Sequence, residues 1–223
     1  MTDFMSAMAQ EWRCPLTQEL PVDPVCAEDG RVYERTAIET ALLYQRKSPM
    51  TNEPMGCRLV PVVQIRNSIR SMIDSKLLPE ATIDAWKQRT FENTQVMDLR
   101  RLARSKDERG AAAAHTLGVW HLHGGMGLPR DDATAYVWFK RGADLGNITS
   151  VATCGALCAL GRGVQRNDSR AVFYYMQAAM AGSAAACWNL GMCFTTGLCG
   201  LDKDEDEALK WFELVPACKV QDR

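Results

Sequence analysis

The side chains in this sequence able to make or break bonds on their own are chiefly nine cysteines and three histidines. A nucleophilic cysteine works as a thiolate and needs a base or a cation beside it. Cys14, Cys26 and Cys57 occupy the first part of the chain, and no histidine precedes His115. A transferase working through Cys14 or Cys57 therefore has no activating base in its own module. The same three cysteines cannot make a structural zinc site, which takes four ligands, and no two of them stand at C-x2-C spacing. Farther on, Cys154, Cys158, Cys187 and Cys193 lie in segments rich in small residues at helical spacing, where buried structural thiols are expected. His121 falls in the repeat slot that Cys158 and Phe194 fill later, a packing position rather than a ligand position. No Cys, His and acid trio emerges, so no metal, cofactor or covalent intermediate is expected. Any chemistry this chain promotes must come from holding other molecules.

Composition points the same way. Among 223 residues, 47% are hydrophobic and 24% charged, and 26 Lys plus Arg stand against 27 Asp plus Glu. Near-neutral charge supplies no field for nucleic acid or an anionic membrane. No apolar run reaches spanning length, and Met1 to Gln10 lacks a signal-like core. An odd cysteine count without close pairs fits a reducing compartment. The expectation is a cytoplasmic protein with protein partners, in a host cytosol if its source is a bacterium that secretes it.

From Ala111 onward the sequence repeats. Leu117-Gly118, Cys154-Gly155 and Leu190-Gly191 fall 37 and 36 residues apart, and Ala135, Ala171 and Ala208 keep the same step, each three residues before Trp138, Tyr174 or Trp211. A period of this size predicts stacked helical hairpins. In each unit a small-residue helix ends at glycines (Gly124 to Gly127, Gly161 to Gly163, Gly197 to Gly200), where a left-handed residue closes a helix. Acidic or amide residues follow (Asp131-Asp132, Asn167 to Ser169, Asp202 to Asp206), suited to cap the next helix. Pro216 is expected to cut the last helix short. The pattern resembles the Sel1-like repeat, a relative of the tetratricopeptide repeat, over about residues 111–218. That resemblance implies an all-α right-handed solenoid. The first unit departs from it at Arg141-Gly142.

Residues 11–75 use another vocabulary: Trp12-Arg13-Cys14-Pro15-Leu16-Thr17, Asp23-Pro24-Val25, Asp29-Gly30, Tyr33-Glu34-Arg35 and Ser48-Pro49-Met50-Thr51. Asp29-Gly30 between Val25-Cys26 and Arg31-Val32-Tyr33 predicts a β-hairpin. Ile38, Ala41, Leu42 and Gln45 then keep helical spacing up to Ser48-Pro49. The order is loop, hairpin, helix, loop, helix. So small a module needs bracing, and with zinc excluded the bracing must be buried hydrogen bonds and ion pairs. Residues 76–110 carry Ile83, Trp86, Val96, Leu99 and Leu102, enough for two helices capping the first repeat. The basic run Leu99 to Lys106 is read there as a solvated helix face.

These ordered positions, with Glu19-Leu20, Leu59-Val60-Pro61, Ile65-Arg66 and Ile69, resemble the U-box, a RING-like α+β fold without zinc. Three positions depart from the family: Pro21 where methionine is usual, Ser48 for a frequent cysteine, and Val62 for an asparagine that ties the loops. The resemblance implies a ubiquitin ligase that binds a ubiquitin-charged conjugating enzyme. Leu16 and Pro49 would form the contact patch, with Ile38 and Leu42 on the helix behind it, while the repeats hold a protein substrate or adaptor. Asn52 aligns with a residue that in many members donates hydrogen bonds to ubiquitin and the enzyme; it is equally a turn residue after Thr51. The alternative is a catalytically inactive adaptor.

Overall fold

The computed structural model describes residues 2–218. Two compact units divide between Asn93 and Thr94.

The first unit opens with helix α1 (Thr2–Glu11). Strands β1 (Pro24–Cys26) and β2 (Val32–Glu34) pair antiparallel, with Val25 opposite Tyr33. Gly30 sits at φ +75° in the connecting turn, a conformation that costs glycine little. Helix α2 (Arg35–Tyr44) follows, then β3 (Val60–Pro61), which adds to β1 on the side away from β2, and helix α3 (Val63–Asp74). Cys14, Val25, Tyr33, Ile38, Leu42 and Met55 share one core. A second core joins Ala9 and Leu20 to Ile69, Met72 and Ile73 of α3 and to Ile83 and Trp86.

Those last two residues lie on α4 (Glu80–Leu102), a single helix of 23 residues. The expectation of two helices in this stretch is thus corrected. No glycine or proline interrupts residues 80–102, so nothing breaks the helix. Nor does the whole stretch cap the first repeat: Ile83 and Trp86 belong to the first unit's core, and Val96 and Leu99 pack with Ala113, Ala114 and Leu117 in the second.

The second unit is three helical hairpins: α5 (Glu108–His123) with α6 (Asp132–Asp144), α7 (Ile148–Leu160) with α8 (Asp168–Met180), and α9 (Ala184–Thr196) with α10 (Glu205–Cys218). Each first helix ends on a left-handed glycine, at Gly124, Gly161 and Gly197. Asp131, Asn167 and Asp204 cap the second helices, their side chains accepting from Thr134, Arg170 and Glu207 N–H groups at 3.1, 2.8 and 2.9 Å. Helix α10 runs past Pro216, contrary to expectation. Proline lacks the N–H that would reach back to the Phe212 carbonyl, yet its fixed φ is helical, so one lost bond near the end does not stop the helix.

The repeated glycine has a steric cause. A Cβ on Gly118, Gly155 or Gly191 would lie 2.8, 2.8 or 2.4 Å from the ring of Phe139, Tyr175 or Phe212. The ring therefore rests directly on the helix backbone. Gly155→Ala is expected to destabilise the repeats by ~1–3 kcal/mol, the usual cost of overpacking. Gly125→Ala, whose added carbon meets nothing closer than 3.5 Å, should change stability by less than about 0.5 kcal/mol. Thermal unfolding of both variants checks this.

One buried and one half-buried imidazole, His121 and His115, give the repeats a pH dependence. His115 accepts from or donates to Ser150 Oγ at 3.0 Å and meets the Phe139 ring edge-on. Burial lowers its pKa, and burial followed by the Arg100 charge lowers that of His121. A base with a depressed folded pKa contributes stability that is complete above its unfolded value, about 6.5, and is lost as pH falls below it. The unfolding temperature of the helical signal should therefore drop between pH 7 and pH 5. His121→Phe, which installs the third repeat's residue, should flatten that drop.

Candidate functional site

Two loops of the first unit carry the predicted contact residues. In the first, Cys14 N–H donates to Glu19 O (2.9 Å) and Gln18 N–H to Cys14 O (2.8 Å), closing a tight turn with Leu16 inside it, 37% exposed. In the second, Ser48 N–H donates to Glu53 O (2.8 Å) and Asn52 N–H to Ser48 O (2.9 Å), so Pro49 and Met50 stand out on the surface. Met50 is 46% exposed. The sequence reading gave it no role, although its place beside Pro49 was the available signal.

Carboxylates hold both loops. Glu34, buried at the end of β2, accepts from Val22 N–H (2.6 Å) and Asp23 N–H (3.3 Å). Burial raises its pKa against the pull of those two donors. Asp23 in turn takes Arg35 Nε at 2.6 Å and also pairs with Arg66. From α4, Arg89 donates to Leu20 O (2.7 Å) and pairs with Glu19 (2.9 Å), and Trp86 Nε1 donates to Pro21 O (3.2 Å). The first loop is thus pinned at residues 19–23, on the C-terminal side of Leu16.

The second loop hangs on Asp29 in the hairpin turn. Asp29 accepts from Tyr33 OH (2.7 Å) and from Ser48 Oγ (2.6 Å), and Ser48 Oγ itself accepts from Met50 and Thr51 N–H groups (3.2 and 3.1 Å). Burial acts to raise the Asp29 pKa, but the Ser48 and Tyr33 hydroxyls outweigh it and hold the carboxyl below its usual range. Burial and the Asp29 charge push the Tyr33 phenol up to about 12. Farther along, Glu28 accepts from Gly56 N–H at 2.7 Å. Val62 contributes backbone groups: its N–H donates to Pro24 O at 2.9 Å and its carbonyl accepts from Arg66 N–H at 3.2 Å.

Leu16 and Pro49 are therefore surface residues on braced loops. Ile38 and Leu42 are core residues, 0% and 6% exposed, because their helical spacing turns them toward Cys14, Val25 and Met55. Ile38 is fully enclosed and positions the loops from behind, while an edge of Leu42 lines a surface groove with Arg35, Arg46 and Leu59. Asn52 is exposed and adopts φ +61°, the left-handed conformation that asparagine tolerates better than most residues. Ser48, noted in the sequence only as a departure, is the hub of the second loop; Trp86, expected in a connector that caps the first repeat, and Arg89, to which the sequence assigns no role, hold the first loop. The thiols of Cys154 and Cys193 are pushed up to about 12, chiefly by burial, which leaves them protonated and unreactive.

Family models match a U-box domain at residues 8–77 and Sel1 repeats at 111–147, 154–183 and 184–214. The chain carries a U-box followed by three Sel1 repeats. Over 56 residues it is 48% identical to WD repeat, SAM and U-box domain-containing protein 1 of Gallus gallus, covering 25% of this chain and 12% of that protein. Over 111 residues it is 31% identical to cytochrome c oxidase assembly factor 7A of Xenopus laevis, covering 48% of this chain and 47% of that protein. The chain thus spans about half or less of these relatives' lengths. A solved Sel1 repeat protein from Oxalobacter formigenes aligns with 56% of this chain and 94% of its own, at 32% identity and a TM-score of 0.46. The U-box and the repeats supply a ligase-like or adaptor framework, and no helix among the described residues is long and apolar enough to cross a membrane.

Proposed function

We propose that this protein is a ubiquitin ligase whose U-box binds a ubiquitin-charged conjugating enzyme while the Sel1 repeats hold a protein substrate, both in the cytosol. The observation that carries the reading is the pairing of exposed apolar side chains, Leu16 and Pro49, with loops pinned by buried or half-buried Glu34, Ser48 and Asp29. Apolar residues left in water on rigid supports suit a small interface, where a few central anchors dominate the binding energy. The chain forms no bond of its own. Its contribution is to hold the thioester on the conjugating enzyme near a substrate lysine, which converts a bimolecular encounter into a positioned one. In this reading Asn52, exposed beside the Pro49 turn, offers its carboxamide to ubiquitin.

The adaptor reading draws on the left-handed φ of Asn52, which accounts for asparagine there without a catalytic role. The deciding experiment is autoubiquitination with a panel of conjugating enzymes. Ubiquitin on this protein's own lysines with at least one enzyme is expected. No transfer and no binding in pull-downs with any member would leave the adaptor.

A further inference from the structure

A groove with three arginines in its lining lies in the second unit, between the end of α4 and helix α6. It encloses about 390 Å3 and is lined by Arg100, Ala103, Arg104, Val137, Trp138 and Arg141. Three arginines surround one apolar strip, and among the described residues no acidic one lines it. The acids nearest in sequence are engaged elsewhere: Asp98 pairs with Arg101 at 3.3 Å, Asp107 caps α5 by accepting from Gly110 N–H at 2.9 Å, and Asp144 pairs with Lys140. Val137 is 65% exposed, an apolar surface left beside cationic side chains. Arg141 is fixed by donating its Nε to the carbonyl of buried Ala103.

The charge is peculiar to the first repeat. Arg141 lies six residues after Ala135; the same step from Ala171 and Ala208 reaches Gln177 and Leu214. Arginine is not needed at that position to build a hairpin. The basic run Leu99 to Lys106 and the Arg141-Gly142 departure, separate oddities in the sequence, meet here.

We infer that this groove binds an acidic segment of a client protein, its carboxylates on Arg100, Arg104 and Arg141 and an apolar side chain on Val137 and Trp138. Guanidinium forks match carboxylates in shape and charge, and an apolar anchor beside them supplies contact area that charge alone lacks. A client site on the repeats rests on the ligase reading for its purpose, but the binding itself needs no ubiquitin machinery.

The test uses the full chain and a short fluorescein-labelled peptide of glutamates flanking a central leucine, read by fluorescence anisotropy. Saturable binding that weakens as salt rises is expected, with Arg100→Glu/Arg104→Glu weakening it by about tenfold or more while the thermal unfolding curve stays in place. A glutamine version of the peptide should bind as poorly as the charge-reversed variant binds the original. Absent binding, or equal binding to native and charge-reversed chains, overturns the proposal. So does tighter binding of a labelled single-stranded oligonucleotide lost in the same variant, which would make the groove a phosphate site. If ubiquitin transfer fails while the peptide binds, the ligase reading falls and the groove stands.

Discussion

Leu16→Ala should weaken binding of a conjugating enzyme by roughly 30-fold, the effect of losing about 2 kcal/mol at a central anchor, and should leave the unfolding temperature where it was. Leu16 is 37% exposed, so its truncation opens no cavity. Ile38→Ala makes the opposite prediction. Its side chain is fully buried against Cys14, Val25 and Met55, and large-to-small changes at such sites cost about 2–5 kcal/mol. That is a large fraction of what a module this small has in reserve. Calorimetric titration with one active conjugating enzyme, alongside thermal melts, separates a contact residue from a core residue in the same motif. A Leu16→Ala chain that melts early, or an Ile38→Ala chain that melts normally and loses only binding, would reverse the assignment.

Ser48→Ala should remove about 1.5–3 kcal/mol from the U-box, the range for a hydrogen bond to a charged group. The hydroxyl donates to Asp29 and accepts from two loop N–H groups, and its loss leaves all three without that partner at a site where the side chain is 3% exposed. The second loop, with Pro49 at its turn, should then sample other conformations. Ubiquitin transfer should fall although Leu16 and Pro49 are intact, and amide exchange should speed up at residues 50–52. Ser48→Cys, a weaker donor of similar shape, should recover part of both. Unchanged exchange in Ser48→Ala would show that the loop's backbone bonds, the Lys47–Pro54 bridge and the Asn52 N–H to Ser48 O bond among them, hold it without the hydroxyl.

Much of this arrangement is legible in the sequence because it is local. The Asp29-Gly30 turn, the glycine at each helix end and the capping Asp131 and Asn167 are each set within a few residues. The 36–37 residue step also reveals which positions are equivalent. What is not legible depends on contacts across long sequence separations. Trp86 and Arg89 carry nothing in their spacing that says their hydrogen bonds go to Pro21 and Leu20. Ile38 and Leu42 share the motif with Leu16, and only packing distinguishes the core from the surface. Ser48 looks like a lost cysteine until Asp29 is seen against it. The aromatic that sits on the repeated glycine is the second of each pair, Phe139, Tyr175 or Phe212, a one-residue distinction that periodicity does not make.

The most direct measurement is a single-turnover assay. A conjugating enzyme already charged with ubiquitin is mixed with free lysine, and loss of the thioester is followed with and without this protein. The native chain should speed discharge well above the uncatalysed rate, and Leu16→Ala and Pro49→Ala, both correctly folded, should return it to that rate. Discharge by both variants at the native rate, or no acceleration by the native chain with any enzyme that binds it, would contradict the claim that these two loops position the thioester.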